Sequence, residues 1–254
     1  MDRWNGKIAL VTGASSGIGA AIAKKFVAHG MKVVGCARNI EALKKIAEEV
    51  NKRGPGELWP IKCDLQVEAD ILKLFQEIDA KYGGLHVLIN NAGLAHDAPL
   101  LSGNTEDWKS MMSINVMAVC ICCREAVKLM DKAGVDDGHI VNMNSTSGHA
   151  VDDRPDAHFY QITKYAVTAM TEGLRRELVS RKSHIRVTSI SPGLVGTDFQ
   201  RRWFPDDPER VAKIHSQYVE LTADDIADDV VFVLSTPARV NICEVLVRPT
   251  EQLR

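Results

Sequence analysis

Short apolar runs alternate with longer amphipathic stretches along the whole chain of 254 residues. Several of the short runs are almost continuously aliphatic, such as IALV, VLIN and HIVN. Strands buried on both faces have this composition, as in a parallel sheet that is covered by helices. The longer stretches carry apolar residues at helical spacing. Seven such alternations, without a repeat signature, predict a doubly wound α/β fold of the Rossmann type, with a seven-stranded parallel sheet flanked by helices.

The pattern also sets the expected bounds of these elements. The predicted strands are 8–12, 32–36, 58–63, 87–90, 139–144, 186–191 and 244–247. The predicted helices are 18–28, 40–51, 68–82, 108–130, 160–181 and 223–234. The stretch 195–217 is polar, carries two prolines and follows a strand, so it is predicted to be a helical or irregular flap. No linker or composition break divides the chain, so residues 1–254 are expected to form a single domain.

Composition and charge exclude several classes of protein. The chain is 45% hydrophobic and 25% charged, and its net charge of −2 argues against a generally basic protein that binds nucleic acid or a membrane surface. No stretch approaches about 20 consecutive apolar residues, so we expect no membrane span. The first apolar run leads directly into a glycine turn, which predicts a strand rather than a signal peptide. The six cysteines lack zinc-site spacing and suit a reducing compartment, so a cytoplasmic protein is expected.

A glycine-rich turn directly follows the first predicted strand. Gly13, Gly17 and Gly19 have the spacing Gly-x-x-x-Gly-x-Gly, and the first predicted helix begins at this turn. Glycines let the backbone approach a phosphate closely, and a helix start offers unpaired N–H groups and the positive end of the helix dipole. Ligands of a doubly wound sheet bind outside the carboxyl ends of its strands. The turn therefore predicts a phosphate-containing ligand at this edge of the sheet.

Tyr160 and Lys164 lie four residues apart in HFYQITKYAV, which places both side chains on one face of the predicted helix. A phenol ordinarily titrates near pKa ~10. A neighbouring ammonium favours the phenolate, so we expect Lys164 to lower the pKa of Tyr160. A phenol tuned in this way can donate or accept a proton beside a carbonyl or alcohol carbon. The pair is therefore a candidate acid–base centre.

Three motifs, in the same order along the chain, carry a resemblance to a known family. They are TGASSGIG at 12–19, NNAG at 90–93 and the Tyr160–Lys164 pair. Together they resemble the short-chain dehydrogenase/reductase family over nearly the whole chain. The resemblance implies an oxidoreductase that interconverts a ketone or aldehyde and an alcohol with a nicotinamide cofactor, since side chains cannot supply hydride. It implies no metal, and the scattered histidines His96, His149 and His158 do not suggest one.

The end of the second predicted strand, VVGCARN, indicates which cofactor is used. Ala37 occupies the place where members of the family that prefer NAD carry an acidic residue. Arg38 follows and suits a 2′-phosphate, and Ser15 adds a hydroxyl donor, so NADP(H) is expected. The cofactor-binding residues implied by the resemblance are Gly13, Ser15, Ser16, Gly17, Ile18, Gly19, Arg38, Asn39, Asp64, Leu65, Asn91, Ala92, Gly93, Tyr160, Lys164, Pro192, Gly193, Val195 and Thr197. For Asn90, which precedes Asn91 in NNAG, structural support of the sheet is as good an interpretation as a contact with the cofactor.

The resemblance also implies four catalytic residues: Asn115, Ser145, Tyr160 and Lys164. Ser145 takes the place of the family serine that binds the substrate oxygen, while Ser147, 13 residues from Tyr160, is a rival for this role. Tyr160 is expected to exchange a proton with the same oxygen. Lys164 is expected to lower the pKa of the phenol and to hold the nicotinamide ribose. Asn115 is expected to order a water that relays protons to Lys164.

Three further segments resemble a narrower group within the family, which uses NADP with 3- and 17-ketosteroids or isoprenoid alcohols. The segments are NMNSTSGH, the helix that carries Tyr160 and the terminal LVRPTEQ. A lipophilic small-molecule substrate is therefore favoured. The loop 149–157 departs from this expectation because it carries three aspartates, Asp152, Asp153 and Asp156. Trp203 and Phe204 in the flap are candidates for an apolar lid.

Two other functions stay open. A 3-ketoacyl-carrier-protein reductase needs a basic entrance for its acidic carrier, and Arg201 and Arg202 are the candidates for one. A non-catalytic NADP(H) sensor or scaffold has no need of the complete catalytic set. The resemblance also implies a homodimer or homotetramer, assembled through the predicted helices 108–130 and 160–181.

Overall fold

Seven parallel strands form one sheet. They are β1 (Ile8–Thr12), β2 (Lys32–Ala37), β3 (Glu57–Lys62), β4 (Val87–Asn90), β5 (His139–Met143), β6 (Arg186–Pro192) and β7 (Glu244–Val247). Their order across the sheet is β3-β2-β1-β4-β5-β6-β7. The computed structural model describes residues 1–253, and it confirms the predicted α/β class and the seven-stranded parallel sheet.

Helices connect the strands and cover both faces of the sheet. They are α1 (Gly17–Ala28), α2 (Ile40–Asn51), α3 (Glu68–Tyr82), α4 (Thr105–Met112), α5 (Ala118–Lys132), α6 (His158–Ser180), α7 (Phe199–Trp203), α8 (Pro208–His215) and α9 (Ala223–Ser235). The flap, defined as residues 195–217, contains α7 and α8.

Alternate side chains of each strand enter two separate apolar cores. In β1, Ala9 and Val11 join the core formed with α1, α2 and α9, whereas Leu10 joins the core formed with α3, α5 and α6. All three side chains are fully buried. Because both faces are covered, almost every strand position can be apolar, which explains the continuous aliphatic runs in the sequence.

The one predicted helix 108–130 is in fact three pieces. A π-helical segment, Ser113–Met117, separates α4 from α5. Its buried residue Asn115 pairs with the backbone of Leu94: Oδ1 accepts from the Leu94 N–H at 3.0 Å, and Nδ2 donates to the Leu94 carbonyl at 2.8 Å. Single π-helical turns of this kind, which hold one extra residue, occur frequently at functional sites. The apolar periodicity across the segment does not reveal this interruption.

The helical stretch Thr105–Lys132 is long and apolar enough to cross a membrane when length and composition alone are considered. Half of its most apolar window is buried within the fold, against the sheet and its neighbouring helices. The apolar character of this stretch is therefore that of a helix which contributes to the core.

The carboxyl ends of the central strands lie next to one another. The winding of the chain reverses between β1 and β4, since β2 and β3 extend the sheet to one side and β5 to β7 extend it to the other. A crevice at such a reversal is where doubly wound sheets bind ligands. Thr12, Asn90 and Met143 end the three strands that border this crevice.

Candidate active site

Tyr160 and Lys164 lie in the first turns of α6, against the end of β5. Lys164 Nζ donates a hydrogen bond to the Met143 carbonyl at 2.9 Å. The same Nζ lies 5.6 Å from the centroid of the Tyr160 ring. Only 7% of Tyr160 and 6% of Lys164 is exposed, so the pair is almost dry. The helical spacing thus brings the two groups together as expected.

Ser145, and not Ser147, is bonded to the phenol. The Tyr160 hydroxyl has a side-chain hydrogen bond with Ser145. Ser145 also begins the short 3₁₀ turn after β5, where its Oγ accepts a hydrogen bond from the Ser147 N–H at 3.1 Å. Ser147 therefore contributes only its backbone N–H to this arrangement. This favours Ser145 as the residue that contacts a substrate oxygen together with Tyr160.

The pKa of the phenol differs from the sequence-based expectation. Burial raises the pKa of Tyr160 above its ordinary value, and the hydrogen bond with Ser145 only partly opposes this. Burial also lowers the pKa of Lys164 to about 8. The expected lowering of the phenol pKa by Lys164 is wrong for the protein alone, because desolvation outweighs a cation that faces the Met143 carbonyl. Tyr160 is consequently protonated at neutral pH.

Asn115 is joined to the same centre through a residue that the sequence reasoning missed. Its Nδ2 donates to Thr163 Oγ1 at 3.0 Å, and Thr163 Oγ1 donates to the Tyr160 carbonyl at 2.7 Å. A Cβ at Gly93 would lie 3.5 Å from Asn115 Oδ1 and 4.0 Å from Lys164 Nζ. Asn115, Gly93 and Lys164 are therefore neighbours. Thr163 is buried one position before Lys164, and its place on the inner face of the predicted helix was the available signal.

The three glycines of the turn after β1 have different roles. A Cβ at Gly19 would lie 2.4 Å from both the Gly13 carbonyl oxygen and Asn91 Nδ2, and a Cβ at Gly13 would lie 3.0 Å from Ala92 Cα. These two glycines are required by close packing within the protein. Gly17 has a φ of +54° and meets only Thr197, at 3.3 Å, so it is the glycine that faces the neighbouring cleft.

The end of β4 is tied to this turn by a second missed residue, Thr12. Thr12 Oγ1 accepts from the N–H groups of Asn91 at 3.0 Å and Ala92 at 3.1 Å. Asn91 Nδ2 donates back to the Thr12 carbonyl at 2.9 Å. Asn90 points elsewhere: it is buried, and its Nδ2 donates to Asn142 Oδ1 at 2.9 Å. The structural interpretation of Asn90 is the one that fits.

Arg38 and Asp64 border a cleft of about 600 Å³ beyond the ends of β2 and β3. Arg38 is exposed, and within residues 1–253 no carboxylate pairs with it. Asp64 Oδ1 accepts from the Gln66 N–H at 3.1 Å, and Leu65 is buried in the core. Asn39 Oδ1 accepts from the Ala42 N–H at 3.1 Å, so this side chain caps α2. The free guanidinium and open space fit the phosphorylated ribose of a dinucleotide.

The segment after β6 connects the sheet to the flap. Pro192 ends β6, and a Cβ at Gly193 would lie 2.1 Å from Gln252 Oε1, so a larger residue there would displace the Gln252 side chain. Val195 is buried, and Thr197 lies against Gly17 of the glycine turn. Of the four predicted contact residues in this segment, Thr197 is therefore the one that the structure places at the glycine turn.

The flap covers Tyr160 with aromatic rings, as the sequence suggested for Trp203 and Phe204. The ring centroids of Trp203 and Phe199 lie 5.2 Å and 5.8 Å from that of Tyr160. Phe204 stacks on Trp203 at 5.1 Å. Trp203 is 7% exposed, and its Nε1 has no hydrogen-bond partner in the described part of the chain. An apolar lid thus closes directly over the phenol.

Asp152 and Asp156 of the loop 149–157 are paired with arginines. Asp156 is buried and its Oδ1 lies 2.8 Å from Arg210 Nη2 of α8. Asp152 Oδ2 accepts from Arg154 Nη2 at 2.9 Å. Asp153 is exposed. The pair of Asp156 and Arg210 therefore joins the acidic loop to the flap.

The three histidines considered above have separate partners. His96 contacts Ser110, His149 contacts Ser191, and His158 contacts the Asp152 carbonyl. Among residues 1–253, no group of three or more His, Cys, Asp or Glu is arranged to hold a metal ion.

Comparison with known proteins gives consistent matches along the chain. Residues 7–208 match the family described as short chain dehydrogenase. The chain is 54% identical to dehydrogenase/reductase SDR family member 11 of Gallus gallus, over 100% of both chains. It is 42% identical to farnesol dehydrogenase of Aedes aegypti, over 98% of both. The closed form of a serine dehydrogenase complexed with NADP+ superposes with a TM-score of 0.88 at 32% identity, over 96% of both chains.

Proposed function

This chain belongs to the short-chain dehydrogenase/reductase family, and from that premise we propose that it is an NADP(H)-dependent enzyme which interconverts a lipophilic ketone or aldehyde and its alcohol. The observation that carries the proposal is the dry Tyr160–Lys164 pair with Ser145 bonded to the phenol. General acid–base catalysis requires such a group within reach of the reacting oxygen. Membership of the family supports oxidoreductase chemistry in general, and the site residues support the specific assignment.

The proposed mechanism assigns a role to each side chain. Ser145 and Tyr160 bind the substrate oxygen, and Tyr160 gives its proton to that oxygen during reduction or removes it during oxidation. Lys164 stands behind the phenol, and Asn115 and Thr163 fix the start of α6. The lid of Phe199, Trp203 and Phe204 excludes water from the reaction. When bound, the nicotinamide cofactor supplies or accepts the hydride that side chains cannot.

The residues present fit a nicotinamide dinucleotide. The glycine turn exposes Gly17 at the start of α1, where N–H groups suit a pyrophosphate, and Thr197 borders the cleft beside it. The exposed Arg38, with Ala37 in place of an acidic residue, supports NADP(H) over NAD(H). The similar serine dehydrogenase is complexed with NADP+, which also supports this choice.

Arg38→Ala should change the choice of cofactor. We expect the Kd for NADPH to rise at least about tenfold, because a charge-assisted contact with the 2′-phosphate is lost, while the Kd for NADH changes little. Fluorescence titration with both cofactors measures this. Lys73→Ala is the matched control, since Lys73 borders the same cleft on α3. Equal weakening of both cofactors by Arg38→Ala would contradict the assignment.

A lipophilic substrate is supported by the aromatic lid, by the pairing of the loop aspartates and by the similarity to farnesol dehydrogenase. We propose a ketosteroid or isoprenoid type of substrate. Ketosteroids, retinal, farnesol and small diketones should be assayed with NADPH or NADP+ and with NADH or NAD+. We expect turnover of a free ketosteroid or isoprenoid alcohol with the phosphorylated cofactor. Turnover of ketoacyl carrier protein alone would instead support the carrier-dependent alternative.

That alternative depends on the two flap arginines, which are exposed but also contact other residues of the chain. Arg202 contacts Ser16 of the glycine turn, and Arg201 lies 3.7 Å from Asp198. A sensor or scaffold without turnover is disfavoured by the complete catalytic arrangement. The same assays separate this alternative, since it predicts cofactor binding without product.

We also propose that the protein acts as a cytoplasmic homodimer or homotetramer. Assembly through α5 and α6 is supported by large apolar side chains that stay exposed beside these helices. Met117, Ile162 and Tyr165 are 53%, 45% and 42% exposed. Burial of such a surface against a second copy is the ordinary outcome for an apolar patch of this kind.

A further inference from the structure

The indole N–H of Trp203 is buried without a hydrogen-bond partner. Trp203 is 7% exposed, and no residue in the described part of the chain accepts from its Nε1. Two other indoles are satisfied: Trp4 Nε1 donates to the Leu234 carbonyl at 2.8 Å, and Trp108 Nε1 donates to the Ala98 carbonyl at 3.1 Å. Buried polar groups are ordinarily paired, so an unpaired donor calls for an explanation, such as a ligand that accepts from it.

This donor belongs to the lid over the catalytic phenol. The ring of Trp203 is centred 5.2 Å from that of Tyr160 and is tilted by 50°. Its other neighbour is Phe204, which stacks on it at 5.1 Å, so aromatic contacts fix the orientation of the indole. Tyr160 is only 7% exposed, and a substrate whose oxygen reaches the phenol hydroxyl must therefore have Trp203 as a neighbour. The unpaired N–H is available to the substrate and not to bulk water.

Two unpaired acceptors lie close to Trp203 and Tyr160 along the chain. Gln200 lies three residues before Trp203, on the same face of α7, and its Oε1 is buried without a partner among residues 1–253. Asp156 lies four residues before Tyr160, and its Oδ2 is also buried and unpaired there, although its Oδ1 is paired with Arg210. A carbonyl oxygen only accepts hydrogen bonds, whereas a hydroxyl both donates and accepts. The unpaired donor and acceptors together therefore favour a hydroxyl group as their partner.

We infer that Trp203 determines substrate specificity by donating a hydrogen bond from its indole N–H to a second oxygen of the substrate, a hydroxyl close to the reacting carbonyl. The inference rests on the proposed function and narrows its substrate class to hydroxy ketones and hydroxy aldehydes, or to the corresponding diols in the direction of oxidation. The same hydroxyl donates to Gln200 Oε1. A site with a buried polar group rejects an analogue that leaves this group unpaired, so the second oxygen is selected.

Two ketones that differ in one oxygen test the inference. Acetophenone and α-hydroxyacetophenone share the reacting aryl ketone, and only the second carries a hydroxyl on the neighbouring carbon. We expect the wild type to reduce α-hydroxyacetophenone with NADPH at a kcat/KM at least about tenfold higher than that for acetophenone. Trp203→Phe keeps an aromatic ring but lacks the N–H. It should lower kcat/KM for α-hydroxyacetophenone by about tenfold and change that for acetophenone by less than about twofold.

Trp108→Phe is the matched control, because the Trp108 N–H already donates to the Ala98 carbonyl. It should change kcat/KM for both ketones by the same factor. Gln200→Leu is a second variant, which removes the unpaired acceptor and leaves the aromatic rings of the lid in place. It should lower kcat/KM for α-hydroxyacetophenone alone, by at least about threefold. Comparing each variant with the wild type on each ketone cancels the different intrinsic reactivity of the two ketones.

The inference would be overturned if the wild type reduced the two ketones equally well or reduced neither of them. It would also be overturned if Trp203→Phe lowered kcat/KM for both ketones by the same factor, or if Trp108→Phe showed the same selective loss. Melting curves show whether Trp203→Phe is folded, and if it is not, the selectivity of Gln200→Leu decides. If the wild type reduced none of the carbonyl compounds named above, the proposed function itself would fail.

Discussion

Tyr160→Phe is expected to lower kcat by about two to four orders of magnitude, the range that a positioned general acid or base contributes. The substitution removes only the hydroxyl that is bonded to Ser145. The ring, which packs against Trp203 at 5.2 Å, is retained, so the lid and the fold should be preserved. Cofactor affinity should be nearly unchanged. Steady-state kinetics and fluorescence titration of NADPH measure the two quantities separately.

Tyr165→Phe is the matched control for this experiment. Tyr165 lies on the same helix, five residues further along, and is 42% exposed on the outer face. It should retain wild-type turnover. If Tyr160→Phe kept most of its activity, the phenol would not be the proton donor and the proposed mechanism would be wrong. If it lost turnover together with cofactor binding, the hydroxyl would be needed for the cofactor rather than for proton transfer.

Most of the fold could be predicted because its signals are local. β1, β4 and α2 have the predicted bounds, since Gly13 follows β1, β4 ends at Asn90, and Asn39 caps the start of α2. The prediction of one continuous helix 108–130 was wrong at the π-helical segment, where Asn115 pairs with the Leu94 backbone. No local pattern encodes a partner 21 residues away.

In the candidate site, too, local geometry could be predicted from the sequence, whereas properties that depend on long-range contacts could not. The spacing of Tyr160 and Lys164 predicted that they would be neighbours, because a helix fixes the geometry of residues four apart. Their pKa values could not be predicted in the same way, since they depend on how dry the site is. The ion pair between Arg210 and Asp156 holds the flap, and Trp203 of the flap covers Tyr160 and Lys164 and keeps water away from them. The sequence alone does not show that Arg210 and Asp156 are in contact.

Lys164 should destabilise the folded protein at neutral pH. Its side chain is 6% exposed, and burial lowers its pKa from 10.5 to about 8. Between these values the unfolded chain keeps the proton and the folded protein releases it, so the free energy of unfolding rises with pH. Below pH 8 both states hold the proton, and the full cost of burying the charge, about 3 kcal/mol, is present.

Lys164→Met should therefore give a protein that is more stable and inactive. At pH 7 we expect the free energy of unfolding to increase by about 2 kcal/mol, because the charge is removed while the Met143 carbonyl loses its donor at a cost of about 1 kcal/mol. The gain should vanish by about pH 10, where lysine in the folded protein is already neutral. Turnover should fall at least about a hundredfold, since the phenol loses its cationic partner.

Urea denaturation at pH 7 and pH 10, at one protein concentration, measures the change in stability. Lys128→Met provides the control, because Lys128 is exposed in α5 and should give little change at either pH. A gain that did not depend on pH would show that methionine stabilises by packing and not by removing a charge. A loss of stability at pH 7 would mean that Lys164 is held by interactions stronger than its desolvation. The buried surroundings of Tyr160 imply that the protein keeps a destabilising cation, Lys164, for catalysis. Either of these two results would contradict that interpretation.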